Sequence, residues 1–257
     1  MITVRSFARR LVTLALVFGC LGYGALAGST AIRQADPWPV FTEAEIFFEL
    51  NNTDGDLGIH GSIDGGPWAS LEIDGPNDRP LLGIVSRGRL RAQGMTQLFF
   101  ESAEPTFDEL APSDFFRRFP EGRYEIEGRT DDGRTLEATA VLSHVLAAPP
   151  RIAVSGTPAA EDCEVSVPLV ATPVVIDWDP VTTSHPEIGK AGAVRISRYQ
   201  VFVEREGVKL SLDLPPSVTE FRVPPGVIAL GTQFKFEVIA RTTSGNNTAV
   251  ESCFRVQ

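Results

Sequence analysis

Residues 230–256 read LGTQFKFEVIARTTSGNNTAVESCFRV, and this stretch decides the fold. Phe234, Phe236, Val238 and Ala240 alternate with Lys235, Glu237, Ile239 and Arg241, which is mostly the period of two that marks a strand with one face buried. Ser244-Gly245-Asn246-Asn247 supplies turn-forming residues, and Thr248 to Val256 returns as a second strand. Working outward, the same closing hairpin recurs about 110 residues earlier. There Tyr124 to Gly128 leads through Asp131-Asp132-Gly133-Arg134, a turn of the Asp-Gly kind, into Thr135 to Leu142. The chain therefore reads as all-β, two β-sandwiches in tandem, without a position-by-position repeat.

The boundary falls at Ala147-Ala148-Pro149-Pro150, a short linker stiffened by proline, giving an acidic domain over 41–148 and a second over 149–257. In the first, Glu43 to Leu50, Leu81 to Val85 and Leu90 to Phe100 are strand candidates. Residues 105–110 and 112–119 read as short helical turns, with Ser113 as an N-cap. In the second, strands are expected at Arg151–Ser155, Cys163–Val167, Val174–Trp178, Arg198–Glu204, Val208–Leu212 and Glu220–Val223, ahead of the closing pair.

On these residues the second half resembles a fibronectin type III domain. Val174-Val175-Ile176-Asp177-Trp178-Asp179-Pro180 is similar to the family's second strand with its buried tryptophan, Tyr199-Gln200-Val201-Phe202-Val203 to the third, and Leu230-Gly231-Thr232-Gln233-Phe234 to the turn into the sixth. The resemblance implies a core role for Trp178. Two departures stand out: Phe234 occupies a position that is usually tyrosine, and the insert Thr182–Gly192 is long for that link. No Arg-Gly-Asp triplet occurs, so the family's best-known adhesive feature does not carry over. The first half is immunoglobulin-like in general pattern only.

At the other end, Arg5, Arg9 and Arg10 precede the apolar run Leu11–Leu26, and Ala25-Leu26-Ala27 has the small-x-small form of a cleavage site. Residues 1–27 read as an export signal cleaved at Ala27, with 28–40 a flexible leader. Two alternatives stay open: lipidation at Cys20, and retention of the run as an anchor. No later segment reaches membrane length, so the rest is expected to be secreted, periplasmic or in the cell envelope. Cys163 and Cys253 form an even pair in that oxidising setting, which predicts a disulfide.

Residues 28–149 hold 21 acidic against 10 basic residues, while 150–257 hold 12 against 10, so the acidity belongs to the first half. Such a surface repels phosphate backbones and anionic lipid heads, disfavouring nucleic acid and membrane surfaces as partners. The candidate metal ligands are Asn52, Asp54 and Asp56, with Asp64, oxygens that suit Ca2+. The same residue types form turns for conformational reasons, and the pattern is no EF-hand, because the sixth position is Leu57 and the twelfth Ile63. His60, His144 and His185 show neither i, i+4 pairing nor HExxH, and no nucleophile elbow, phosphate loop or CxxC occurs. The expectation is an exported non-catalytic binding or structural protein whose loops, Ser244-Gly245-Asn246-Asn247 among them, contact a protein partner. A glycan-binding module with Trp68 as its stacking platform, dependent on calcium, is the alternative.

Overall fold

The computed structural model describes residues 40–257. The readings of Ala27, Cys20 and all of the leader but Val40 lie outside the described residues. Within them the first half contributes β1 (Phe41–Asn51), β2 (Asp56–Trp68), β3 (Ser70–Gly75), β4 (Arg79–Val85), helix α1 (Gly88–Gln93), β5 (Met95–Glu101), helix α2 (Pro112–Arg118), β6 (Gly122–Arg129) and β7 (Thr135–Leu142). The second contributes β8 (Ile152–Val154), β9 (Thr157–Pro158), β10 (Leu169–Val170), β11 (Val175–Trp178), β12 (Ile196–Arg205), β13 (Val208–Leu214), β14 (Glu220–Arg222), β15 (Gln233–Thr242) and β16 (Asn247–Val256). Among the described residues no helix is long and apolar enough to cross a membrane.

Both halves use one topology. In the first, β1-β2-β5 faces β4-β3-β6-β7; in the second, β14-β11-β8 faces β13-β12-β15-β16. Each pair of faces encloses a separate apolar core, one including Phe48, Leu50, Trp68, Leu71 and Tyr124, the other Trp178, Tyr199, Val201, Phe234 and Phe254. Burial of each large side chain contributes about 1.5–3 kcal/mol. Tyr124 donates its hydroxyl to the carbonyl of Pro120 at 3.0 Å, the corner bond expected near the start of the sixth strand of such a sandwich. The corresponding Phe234 has no hydroxyl and instead stacks on Phe254, centroids 5.0 Å apart and planes inclined by 4°.

Three local readings change. Residues 88–93 are helical, not strand: Leu, Arg, Ala and Gln favour helix, and Gly94 at φ +80° ends it before β5. Helix α2 starts with Pro112 at its first position and Ala111 as N-cap, so Ser113 is already inside the helix. Cys163–Val167 is a turn, because the Asp162 carboxylate accepts the backbone N–H groups of Glu164 and Val165.

The halves are not two beads on a spacer. At the seam β16 pairs in parallel with β1, Glu49 opposite Asn247 and Asn51 opposite Ala249, and this joins β13-β12-β15-β16 to β1-β2-β5 in one continuous sheet. The linker is pinned as well. Ala147 is fully buried, and the Thr182–Gly192 insert binds the linker through Ala148 N–H to Thr183 O, His185 N–H to Leu146 O and Lys190 N–H to His144 O. The unusual length of that insert thus has a structural purpose: it covers the joint.

Candidate functional site

The turn expected to reach a partner lies inside this seam. Asn246 is fully buried and Asn247 is 6% exposed. The Phe48 amide donates to Asn246 Oδ1 at 2.9 Å, and Asn246 Nδ2 donates to the carbonyls of Ser143 (2.7 Å) and Val145 (3.0 Å). Thr248 Oγ1 bonds to Ala147 O at 3.0 Å. A short polar sequence such as Gly-Asn-Asn-Thr satisfies backbone groups as readily as it meets solvent, and here it does the former. Of the four proposed contact residues, Ser244 is exposed and Gly245 half-buried.

The calcium ligands do not converge either. Asn51 organises the turn, its Oδ1 accepting the amides of Thr53 (3.0 Å) and Asp54 (3.2 Å). Asn52 points to the insert and accepts from His185 Nε2 at 3.1 Å. Asp64 lies eight residues beyond Asp56 along β2, roughly 26 Å away at the rise of a strand, and its Oδ1 holds the Gly65 amide. Trp68, the proposed stacking platform, is fully buried. Pro67 and Ala69 flank it, and it ends its strand in the core as Trp178 ends β11.

What the fold does assemble is the outer face of the continuous sheet. Residues directly opposite one another on adjacent strands share a face. Register therefore places Phe99 and Glu101 of β5, His60 and Ser62 of β2, Glu45, Phe47 and Glu49 of β1, Asn247 of β16, Glu237, Ile239 and Arg241 of β15, and Arg198, Gln200 and Phe202 of β12 side by side. Six strands at about 4.8 Å spacing make a surface roughly 24 Å wide. These residues line a cavity of about 340 Å³ that crosses the seam between the two halves.

Carboxylates dominate its chemistry. Arg241, 5% exposed, ion-pairs with Glu45, donates to Asn247 Oδ1 at 3.1 Å and lies 4.4 Å over the Phe47 ring. Asn247 Nδ2 in turn donates to Glu49 Oε2 at 2.7 Å. Beside this chain, burial pushes the Glu237 carboxyl up to about 8, with Glu251 and Glu49 adding to the effect. Asp56 is pushed up to about 6, again first by burial and then by the charges of Glu104, Asp54, Glu251 and Glu49. Carboxyl groups that hold protons near neutrality mark a site where added positive charge is favoured. On the same face His60 Nε2 lies 2.8 Å from Glu104 Oε1.

Sequence reasoning missed this constellation: it read the acidity as a property of the first half at large and His60 as one of three histidines without pairing. Its members come from six strands and a loop, with Glu49 and Asn247 198 residues apart. Only the strand pairing joins them.

No protein-family model and no curated protein matches the sequence. Among solved structures the chain is similar to a segment of two fibronectin type III domains from chicken tenascin, at 11% identity over 84% of this chain and 98% of that one, TM-score 0.30. It is also similar to the FN1–FN3 domains of chicken CNTN1 (10% identity, 85% of this chain and 66% of that one, TM-score 0.31). A third similarity is to Tp47, the 47-kilodalton lipoprotein of Treponema pallidum (10%, 86% and 50%, TM-score 0.35). The C-terminal half is fibronectin type III-like. Its strand order places it there, and the low scores carry neither residues nor partners across.

Proposed function

We propose that the protein is an exported, non-catalytic binding and structural module that presents the acidic face of its continuous sheet to a basic protein partner. The observation that carries this reading is the seam. Pairing β16 with β1 turns two separate sheets into one surface and brings carboxylates of the acidic first half alongside Glu237 of the second. Complementary charge on a partner would steer encounter and set specificity, and the exposed ring of Phe99 offers apolar area at the rim. The Cys163–Cys253 disulfide, with Cα atoms 5.9 Å apart, fits an oxidising compartment.

Residues 28–257, immobilised and exposed to cell-envelope and extracellular extracts, should retain a protein saturably and lose it as salt rises. The variant Glu43→Gln/Glu101→Gln should fold and retain it at least about tenfold less well. Equal retention by both, or retention of polysaccharide alone, would overturn the reading.

A further inference from the structure

Glu49, His60 and Glu104 each offer one donor atom, and the three atoms lie within 4.8 Å of one another; Glu49 and His60 also line the acidic cavity. This is more than crowding of acids. His60 is 4% exposed, and its Nε2 points at Glu104 Oε1. The strand beside His60 leaves room for that carboxylate: Gly58 stands between Asp56 and His60 on the same face, and a β-carbon there would fall 2.3 Å from Glu104 Oε1. On the same strand face, outside the donor set, Asp56 Oδ1 is shut off from solvent and accepts no hydrogen bond.

We infer that Glu49, His60 and Glu104 form a binding site for a divalent transition metal, Zn2+ by its donor set, with one position left open toward the cavity. One imidazole nitrogen and two carboxylate oxygens are donor types that zinc takes, three of them leaving a fourth position open, whereas Ca2+ takes six to eight oxygens. Tetrahedral donors about 2.1 Å from zinc stand about 3.4 Å from one another, so the three close on an ion by side-chain shifts of about 1 Å. In the metal-free arrangement a proton lies between His60 Nε2 and Glu104 Oε1. The ion takes its place: a neutral ring carries its proton on Nδ1, and a doubly protonated ring releases one proton to solvent. Asn247, which holds Glu49 through Oε2 at 2.7 Å, fixes that carboxylate from the second half of the chain. The site stands independently of what the face binds.

The test is Zn2+ titration of residues 28–257 by calorimetry and by native mass spectrometry, with Co2+ as a visible-absorption probe and the imidazole signal of His60 followed by NMR. One Zn2+ per chain, a His60 Nε2 shift on loading and no displacement by millimolar Ca2+ are expected. Glu104→Gln keeps a hydrogen-bonding partner for His60 and should weaken uptake about tenfold or more. Gly58→Ala, which pushes Glu104 aside without replacing a ligand, should do the same while thermal melting confirms the fold. Absence of stoichiometric uptake, or uptake that neither variant changes, would show an adventitious ion only and overturn the assignment.

Discussion

Asn246→Ala separates a structural clasp from a binding loop. The substitution removes three hydrogen bonds at once and strands the Phe48 amide together with the carbonyls of Ser143 and Val145. Phe48 is fully buried, so its N–H faces the full penalty of about 1–3 kcal/mol. The two carbonyls sit on half-buried residues, where water recovers part of the loss. The sum is about 3 kcal/mol. For a folded body of this size 1 kcal/mol corresponds to about 2–4 °C, so the melting temperature should fall by about 6–12 °C with the disulfide intact. Calorimetry measures that drop, and hydrogen exchange should show the Phe48 amide and the β1–β16 seam losing protection first. Asn246→Asp should be no milder, since it keeps the acceptor for Phe48 but sets a carboxylate against two carbonyls. A melting temperature within a degree or two of the parent, with unchanged exchange at Phe48, would refute the clasp; loss of partner retention without loss of stability would restore the loop reading.

Stability should also depend on pH through Glu237. Its carboxyl titrates near 4.5 when unfolded and near 8 when folded, so between those values the folded state binds more protons and stability falls as pH rises through the window. The melting temperature should be higher at about pH 6 than at about pH 8.5, and Glu237→Gln should flatten the difference; an unchanged slope would show that other groups set it. Tyr124→Phe should cost about 1 kcal/mol, or about 2–4 °C, because it removes the bond to Pro120 and leaves that carbonyl short of a donor. Burial pushes the Tyr124 phenol up to about 12, so this loss should be the same throughout the neutral range.

How much of this was legible in the sequence depended on the range of the interaction concerned. The alternation in Phe234–Arg241 and the Asp-Gly turn before Thr135 are local signals, and both hairpins stand where the pattern put them. The pairing of Cys163 with Cys253 followed from compartment and count. What failed was the inference from turn composition to exposure. Asn246, Asn52 and Asp56 look alike in sequence, yet one is a buried clasp, one is bound to His185 and one lies on the sheet with an unpartnered oxygen. Asn and Asp satisfy backbone groups as well as water, and only the tertiary neighbours decide which. Trp68, read as a stacking platform, failed for a related reason: β2 runs through Gly65, Gly66 and Pro67 with a register shift between Asp64 and Trp68 and delivers the ring to the core.

The seam unites these points. A β-sandwich leaves open edges, and an open edge invites unwanted pairing. Here the last strand of the second sandwich and the first strand of the first cover one another's edges, and the buried Asn246 and Thr248 turn what would be a flexible joint into a rigid one. Rigidity has a functional consequence. Glu49 belongs to β1 and the Asn247 that holds it to β16, so the geometry of the acidic face is only as fixed as the pairing of those two strands. Whatever loosens the clasp must therefore also loosen the ligand set around His60. Metal uptake and the exchange protection of the Phe48 amide should then fall together in Asn246→Ala, although Asn246 touches neither Glu49, His60 nor Glu104.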